Sequence, residues 1–210
     1  MSYQEEISPK KPPNFSWIQE GKLCAMGFPE EVGHLMYLQE HGVTHLISLT
    51  AEREPPIERL QGKCEDPTLH SVLPLVVIDF TPPSISQIER CLDIIEEENM
   101  GQGAVGIHCA KGYGRTGTVI ACYYVKMGGL TAVHAIEKVR MDRPGSLETD
   151  DQENRVCEFE SMNKNRIVIS PADQVIDKAR MDVPDVSPET EDQNSTISEE
   201  STTKIKTVAS

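Results

Sequence analysis

Residues 104–127 constrain the fold more than any other stretch, because they read as strand, tight turn and helix in immediate succession. Ala104–Cys109 (AVGIHC) is short and apolar, as a strand in the interior of a sheet is. The turn after it holds Gly112 and Gly114, and an apolar helix follows from about Thr116 to Met127. The rest of the chain supplies partners of the same two kinds. Lys22–Gly27 reads as a strand; Pro29 opens a helical pattern with Val32, Leu35, Met36 and Gln39 on one face and Gly42 as its stop. Val43–Leu49 and Thr68–Leu73 read as strands, with a polar loop over 50–67 between them. Ser84 starts a strong helix: Ser84-x-x-Gln87 resembles a capping box, and Ile85, Ile88, Leu92 and Ile95 share a face. Helices over Thr131–Arg140 and Thr149–Asn163 complete the pattern. Strands alternating with helices predict an α/β sandwich around a central sheet.

Charge and composition set the limits of that domain. The chain has 210 residues and a net charge of −14. Its last segment, 167–210, has no aromatic and no glycine, eleven Ser/Thr and a net charge of −5, and it cannot bury enough apolar surface to offset its ordering entropy. The expected organisation is a flexible 1–9, a folded domain over 10–166 and a disordered acidic tail over 167–210. No apolar run approaches the length of a membrane span, so no membrane insertion is expected. Met1–Pro13 is polar without a hydrophobic signal core, which points to the cytoplasm, with the nucleus also open. Nucleic acid is not an expected partner of so acidic a chain. The six cysteines lack any Cys-x-x-Cys pair and are expected as free thiols. Asn14-Phe15-Ser16 and Asn194-Ser195-Thr196 match the glycosylation sequon, which means nothing without secretion.

The segment that carries chemistry is His108-Cys109-Ala110-Lys111-Gly112-Tyr113-Gly114-Arg115-Thr116-Gly117. A strand, a two-glycine turn and a helix start aim several backbone N–H groups at one point with the helix dipole behind them, which makes an anion cradle. Cys109 sits at its base, where those N–H groups favour the thiolate. Arg115 closes the turn, and its planar fork can bind two phosphate oxygens at once. Sulfur attack on phosphorus needs this pairing. A glycine turn alone is weak evidence, but chance occurrence of His-Cys-x-x-Gly-x-x-Arg-Thr in a chain this long is on the order of a few in 10⁵.

The segment resembles the signature loop of the cysteine-dependent protein phosphatases, and the chain resembles their small atypical dual-specificity members. The similarity extends to PPNFSWIQEGKL (12–23), GVTHLISLT (42–50), VIDFTPPSISQI (77–88) and RPGSLETDDQE (143–153), spanning roughly 10–165. The resemblance implies a protein tyrosine phosphatase-like fold, with a mostly parallel sheet flanked by helices. It implies a monomer that needs no metal or cofactor and acts on phosphoproteins through a phosphocysteine on Cys109. Arg115 would hold the equatorial oxygens, and the loop residues Ala110, Lys111, Gly112, Tyr113 and Gly114 would line the phosphate site. His108 would tune the cysteine and fix the loop, which a satisfied core histidine also fits. Thr116 would donate its hydroxyl toward the sulfur, or simply cap the helix. Asp79 would be the general acid, with Glu65 and Asp66 as rivals. Gln152 would position the hydrolytic water, or serve as the capping-box residue of Thr149-x-x-Gln152. Lys111 departs from the family, where an apolar residue stands; a solvated lysine is the simpler account of it, and attraction of acidic substrates the other. Phosphoinositide or RNA 5′-phosphate hydrolysis, or phosphate binding without catalysis, are the alternative functions.

Overall fold

Helix α4 (Gly114–Lys126) dictates the architecture, because every residue from Gly114 to Val125 is buried. A helix buried on every side must be surrounded. The surrounding helices are α3 (Ile85–Met100), α5 (Ala132–Asp142) and α6 (Asp150–Val168), all on one face of the sheet. The other face carries α1 (Val32–Glu40) and α2 (Ile57–Gln61). The structure is a computed structural model and describes residues 7–50, 53–62, 68–69, 71–101 and 103–168. The tail from 169 onward, and with it the expectation of disorder there, lies outside the described residues. No helix among the described residues is long and apolar enough to cross a membrane.

The sheet has five strands in the order β1-β2-β5-β3-β4: β1 (Ser16–Gln19), β2 (Leu23–Met26), β3 (Val43–Ser48), β4 (Ser71–Pro74) and β5 (Ala104–His108). All pairings are parallel except β1 with β2. Strand alternation divides the core between the two faces. Leu23, Ala25, Ile47, Val105 and Ile107 pack under α3–α6, whereas Cys24, Met26, Val43 and Leu46 face α1 and α2. This is the mostly parallel α/β fold that the sequence predicts. The capping box of α3 forms as expected: Gln87 N–H donates to Ser84 Oγ at 3.2 Å, and Ser84 N–H donates to Gln87 Oε1 at 2.9 Å. The cysteines among the described residues are free; Cys64 lies outside them.

Three elements differ from the expectation. β1 pairs antiparallel with β2 through a turn at Gly21 (φ +66°), and its four residues, three half-buried and one exposed, are too few to show a period. α2 stands in a segment read as loop; Pro55-Pro56 leads into it, and the fully buried Leu60 anchors one short turn. α6 runs five residues past Asn163. Its first turn carries Asp150, Asp151 and Glu153 against the positive end of the dipole, and a Glu160–Lys164 pair at i,i+4 supports its last turns.

Candidate active site

β5 ends between β2 and β3, at the carboxyl edge of the sheet, and hands His108 and Cys109 to the loop that starts α4. Ligands of open parallel sheets bind at this edge. Cys109 is only 3% exposed, and its Sγ accepts a hydrogen bond from the Gly112 N–H at 3.2 Å. The carbonyls of Ala110, Lys111 and Gly112 are turned the other way and each is held from outside. Ala110 O accepts from Phe28 N–H at 3.0 Å, Lys111 O from Asn14 Nδ2 at 3.1 Å, and Gly112 O from Arg143 Nη2 at 2.8 Å. With these three carbonyls pointing out, the N–H groups of the same peptide units, those of Lys111, Gly112 and Tyr113, point in. Gly112 is obligatory here: its φ is +81°, and a Cβ would lie 2.5 Å from the carbonyl carbon of Met26.

Arg115 is 1% exposed, and its guanidinium is fixed before any substrate arrives. Nη1 donates to Leu49 O at 3.2 Å, beyond the end of β3, and to Val77 O at 2.9 Å. Nη2 lies 2.8 Å from Asp79 Oδ1, an ion pair between a buried cation and a carboxylate that is nearly half exposed. Asp79, thirty residues from Cys109 in sequence, therefore stands at the same site. Its neighbour Phe80 is held at φ +61°, with its N–H on Asp79 Oδ1 at 3.1 Å and its carbonyl accepting from Thr149 Oγ1 at 3.2 Å. Glu65 and Asp66 lie outside the described residues. Next to the site, a groove of about 730 Å³ runs along Thr50, Arg53, Pro55, Ile57 and Val76. Val76, Ile78 and Phe80 expose apolar surface on the segment that carries Asp79.

His108 is wholly buried, edge-on to Phe28, with Nδ1 3.4 Å from Cys109 O. Burial lowers its pKa to about 4, so it is neutral at physiological pH and acts on the loop by contact, not by charge. Because the folded value lies below the usual 6.5, this residue's contribution to stability is complete above about pH 6.5 and is lost as the pH falls toward 4. Urea midpoints followed across that window should fall as the pH drops from about 6.5 toward 4. A His108→Gln variant should be flatter there, and an equal slope in both proteins would refute the assignment.

Thr116 does not cap α4. The cap position is Tyr113, and the Glu148 carboxylate takes the Gly114 N–H at 3.1 Å. The Thr116 hydroxyl is fully buried with no hydrogen-bond partner among the described residues. Gln152 is also fully buried, and it forms one half of the expected capping box. Its backbone N–H donates to Thr149 Oγ1 at 3.3 Å, and its Oε1 accepts from Glu148 N–H at 2.8 Å. Its Nε2 is turned to the loop, where a Cβ on Gly114 would lie 2.6 Å from it. The Lys111 side chain is exposed, and the Tyr113 ring rests by Gly145, where a Cβ would sit 3.6 Å away. No cluster of His, Cys, Asp and Glu among the described residues could hold a metal ion.

Burial decides the state of the other core thiols. It pushes Cys91 up to about 12 and raises Cys24 and Cys122 as well, which keeps all three protonated and inert. Two residues of the site were not singled out in the sequence, Asn14 and Arg143. Both lie in segments of family resemblance, but their contacts to the loop cross 97 and 31 residues of chain.

Comparison with known proteins identifies the class to which this site belongs. Residues 12–156 match the family described as "Swiss Army Knife protein, DSP-PTPase phosphatase domain". The match covers well over half of the chain, and the chain belongs to this family of cysteine-dependent dual-specificity phosphatase domains. Human dual specificity protein phosphatase CDC14A is 31% identical over 147 residues, covering 64% of this chain and 23% of that protein. Mouse dual specificity protein phosphatase CDC14B is 33% identical over 162 residues, covering 71% of this chain and 32% of that protein. The chain thus spans a quarter to a third of the length of these relatives. Among solved structures, Tk-PTP in its active form superposes with a TM-score of 0.62 at 28% identity, over 71% of this chain and 97% of that one. PTPMT1 superposes at 0.64 with 18% identity, over 74% and 99%, a likeness of fold.

Proposed function

We propose that this protein is a protein phosphatase of dual specificity that hydrolyses phosphotyrosine, and phosphoserine and phosphothreonine with it, through a phosphocysteine on Cys109. Within the family we place it with the small atypical enzymes typified by dual-specificity protein phosphatase 23. The observation that carries the reading is the meeting of Cys109, Arg115 and Asp79 at one strand edge, from positions up to 36 residues apart.

In the first step the Cys109 thiolate attacks phosphorus while the bond from phosphorus to the leaving oxygen breaks, and Asp79 gives that oxygen its proton. In the second, water attacks the phosphocysteine, Asp79 takes the water's proton, and the sulfur–phosphorus bond breaks to release inorganic phosphate. Inward N–H groups and the Arg115 fork hold the equatorial oxygens as charge shifts between them. Substrate oxygens take over Arg115, so Asp79 exchanges the guanidinium for the leaving oxygen. Gln152 Nε2, turned to the loop at Gly114, suits the positioning of the water. The apolar rim of Val76, Ile78 and Phe80 suits an aryl group. A single exposed Lys111 is less basic than a phosphoinositide headgroup calls for. Action on phosphoproteins in the cytoplasm or nucleus, as a monomer, belongs to the same reading.

Asp79→Asn tests the acid. Phenol leaves tyrosine phosphate poorly, with a conjugate acid near 10, whereas an activated aryl phosphate leaves unaided. The variant should slow phosphotyrosine peptides much more than activated aryl phosphates, and the high-pH limb of kcat/KM should vanish. Equal losses with an unchanged profile would remove Asp79 from the chemistry. Running the wild type on phosphopeptides, phosphoinositides and RNA 5′-phosphates side by side tests the substrate class, and faster lipid or RNA turnover would overturn it.

A further inference from the structure

We infer that Asn14 and Arg143 are positioning residues for Cys109, gripping the outer face of the catalytic loop so that its inner face is set for a thiolate and a phosphoryl group. The inference rests on the phosphocysteine reading for its purpose, but its geometry stands apart from it. Asn14 acts on the peptide unit that touches the sulfur. The carbonyl of Lys111 accepts from Asn14 Nδ2 at 3.1 Å, and the N–H of the same unit, that of Gly112, donates to Cys109 Sγ at 3.2 Å. A hydrogen bond accepted at one end of an amide polarises it and strengthens the bond donated at the other. Asn14 also lies 3.5 Å from Gly112 O and stands at φ +50°, a conformation asparagine tolerates better than most residues.

Arg143 grips the next unit. It is only 3% exposed, and it donates to Gly112 O at 2.8 Å, to Ala25 O at 3.2 Å and to Ser16 Oγ. One guanidinium thus joins β1, β2 and the loop. A buried cation is costly to keep for a strut that a neutral side chain could supply. Its charge has a use here, because it sits behind a loop whose front holds a sulfur anion and then a phosphoryl dianion. Burial lowers the basicity of Arg143, and the Cys109 side chain, followed by Tyr113 and Cys24, pulls it back up.

The other groups around Cys109 are accounted for on every side. His108 on β5 is neutral. Arg115 on α4 is paired with Asp79 of the acid loop. Glu148, ahead of α6, is committed to Gly114 N–H, and Gln152 on α6 carries no charge. Lys111 points to solvent, Tyr113 lies at the rim, and Cys24 on β2 stays protonated. Arg53, whose field reaches His108, is paired with Glu30. Arg143 is therefore the buried cation on the far side of the loop from the substrate.

The test is alkylation of Cys109 by iodoacetamide in the full-length protein, from about pH 4 to about pH 9, followed by mass spectrometry of its peptide. It needs no turnover, so it decides the inference even if the protein hydrolyses no phosphate ester. Asn14→Gly keeps the backbone conformation and removes the donor; the rate at about pH 6 should fall about fivefold, as for one lost neutral hydrogen bond. Arg143→Met should lower it at least about tenfold, the scale of a charged hydrogen bond, and Arg143→Lys should recover part of the loss. In each case the high-pH plateau should stay, with the half-plateau pH moved upward. The low-pH limb of kcat/KM on an aryl phosphate should move in step. A purely structural clamp would lower melting temperature and leave the alkylation profile of the folded protein unchanged, and that result would overturn the inference. If Arg143→Met fails to fold, Asn14→Gly, an exposed turn position, decides alone.

Discussion

Cys109→Ser should take turnover of an aryl phosphate to background, a fall of at least about four decades on the scale of lost catalytic nucleophiles. A serine hydroxyl stays protonated near neutrality and is a far weaker nucleophile than a thiolate. The other buried thiols among the described residues cannot stand in. Cys24, Cys91 and Cys122 are buried among apolar side chains that hold them protonated. The loop itself should survive the exchange, because its carbonyls are held by Phe28, Asn14 and Arg143, none of which touches the sulfur directly. Calorimetric titration with phosphate or a phosphopeptide should therefore show binding retained while kcat is lost. Substantial turnover by the variant would end the phosphocysteine mechanism.

The centre of this site was legible in the sequence because its chemistry is local. Cys109, Gly112, Gly114 and Arg115 lie within seven consecutive residues, and the strand-turn-helix pattern around them fixes their geometry almost without the rest of the chain. The long helices were legible for the same reason: α3 announces itself by a capping box and one apolar stripe. What stayed hidden is what depends on meetings between distant segments. β1 exists because β2 is beside it, and its four residues carry no periodic signal of their own. Asn14 looks like an unused sequon or a turn residue, and only the fold brings it to a carbonyl 97 residues away. Arg143 precedes a proline with no local signal of its role, and only the fold closes β1, β2 and the loop around it. Thr116 misleads in the opposite sense. Its place near a helix start suggests a cap, but Glu148, across 34 residues, already satisfies the first N–H.

Arg115→Lys should lower kcat by at least about two decades while changing KM far less, because the contacts it loses strengthen as charge builds on the equatorial oxygens. The charge is kept, so any loss belongs to geometry. Lysine offers one compact ammonium in place of a planar fork and cannot present two parallel donors to a phosphoryl group. It also cannot reproduce the anchorage that aims the fork. Nη1 is bound to Leu49 O and Val77 O, which ties the guanidinium to the end of β3 and to the segment that carries Asp79. Shortening that reach frees two carbonyls and removes the ion pair with Asp79. A second signature follows from the shared position. Asp79→Asn should cost less in the Arg115→Lys background than in the wild type, since each residue helps place the other, and a double-mutant cycle on a phosphotyrosine peptide reads that coupling directly. The melting temperature separates this account from simple damage. Loss of the two carbonyl contacts predicts destabilisation of about 1–3 kcal/mol, too little to unfold an ordinary domain at assay temperature. A folded variant with two decades less kcat assigns Arg115 to the transition state. A folded variant with nearly wild-type kcat would make it a structural member of the loop and leave the oxyanion contacts to backbone N–H groups alone.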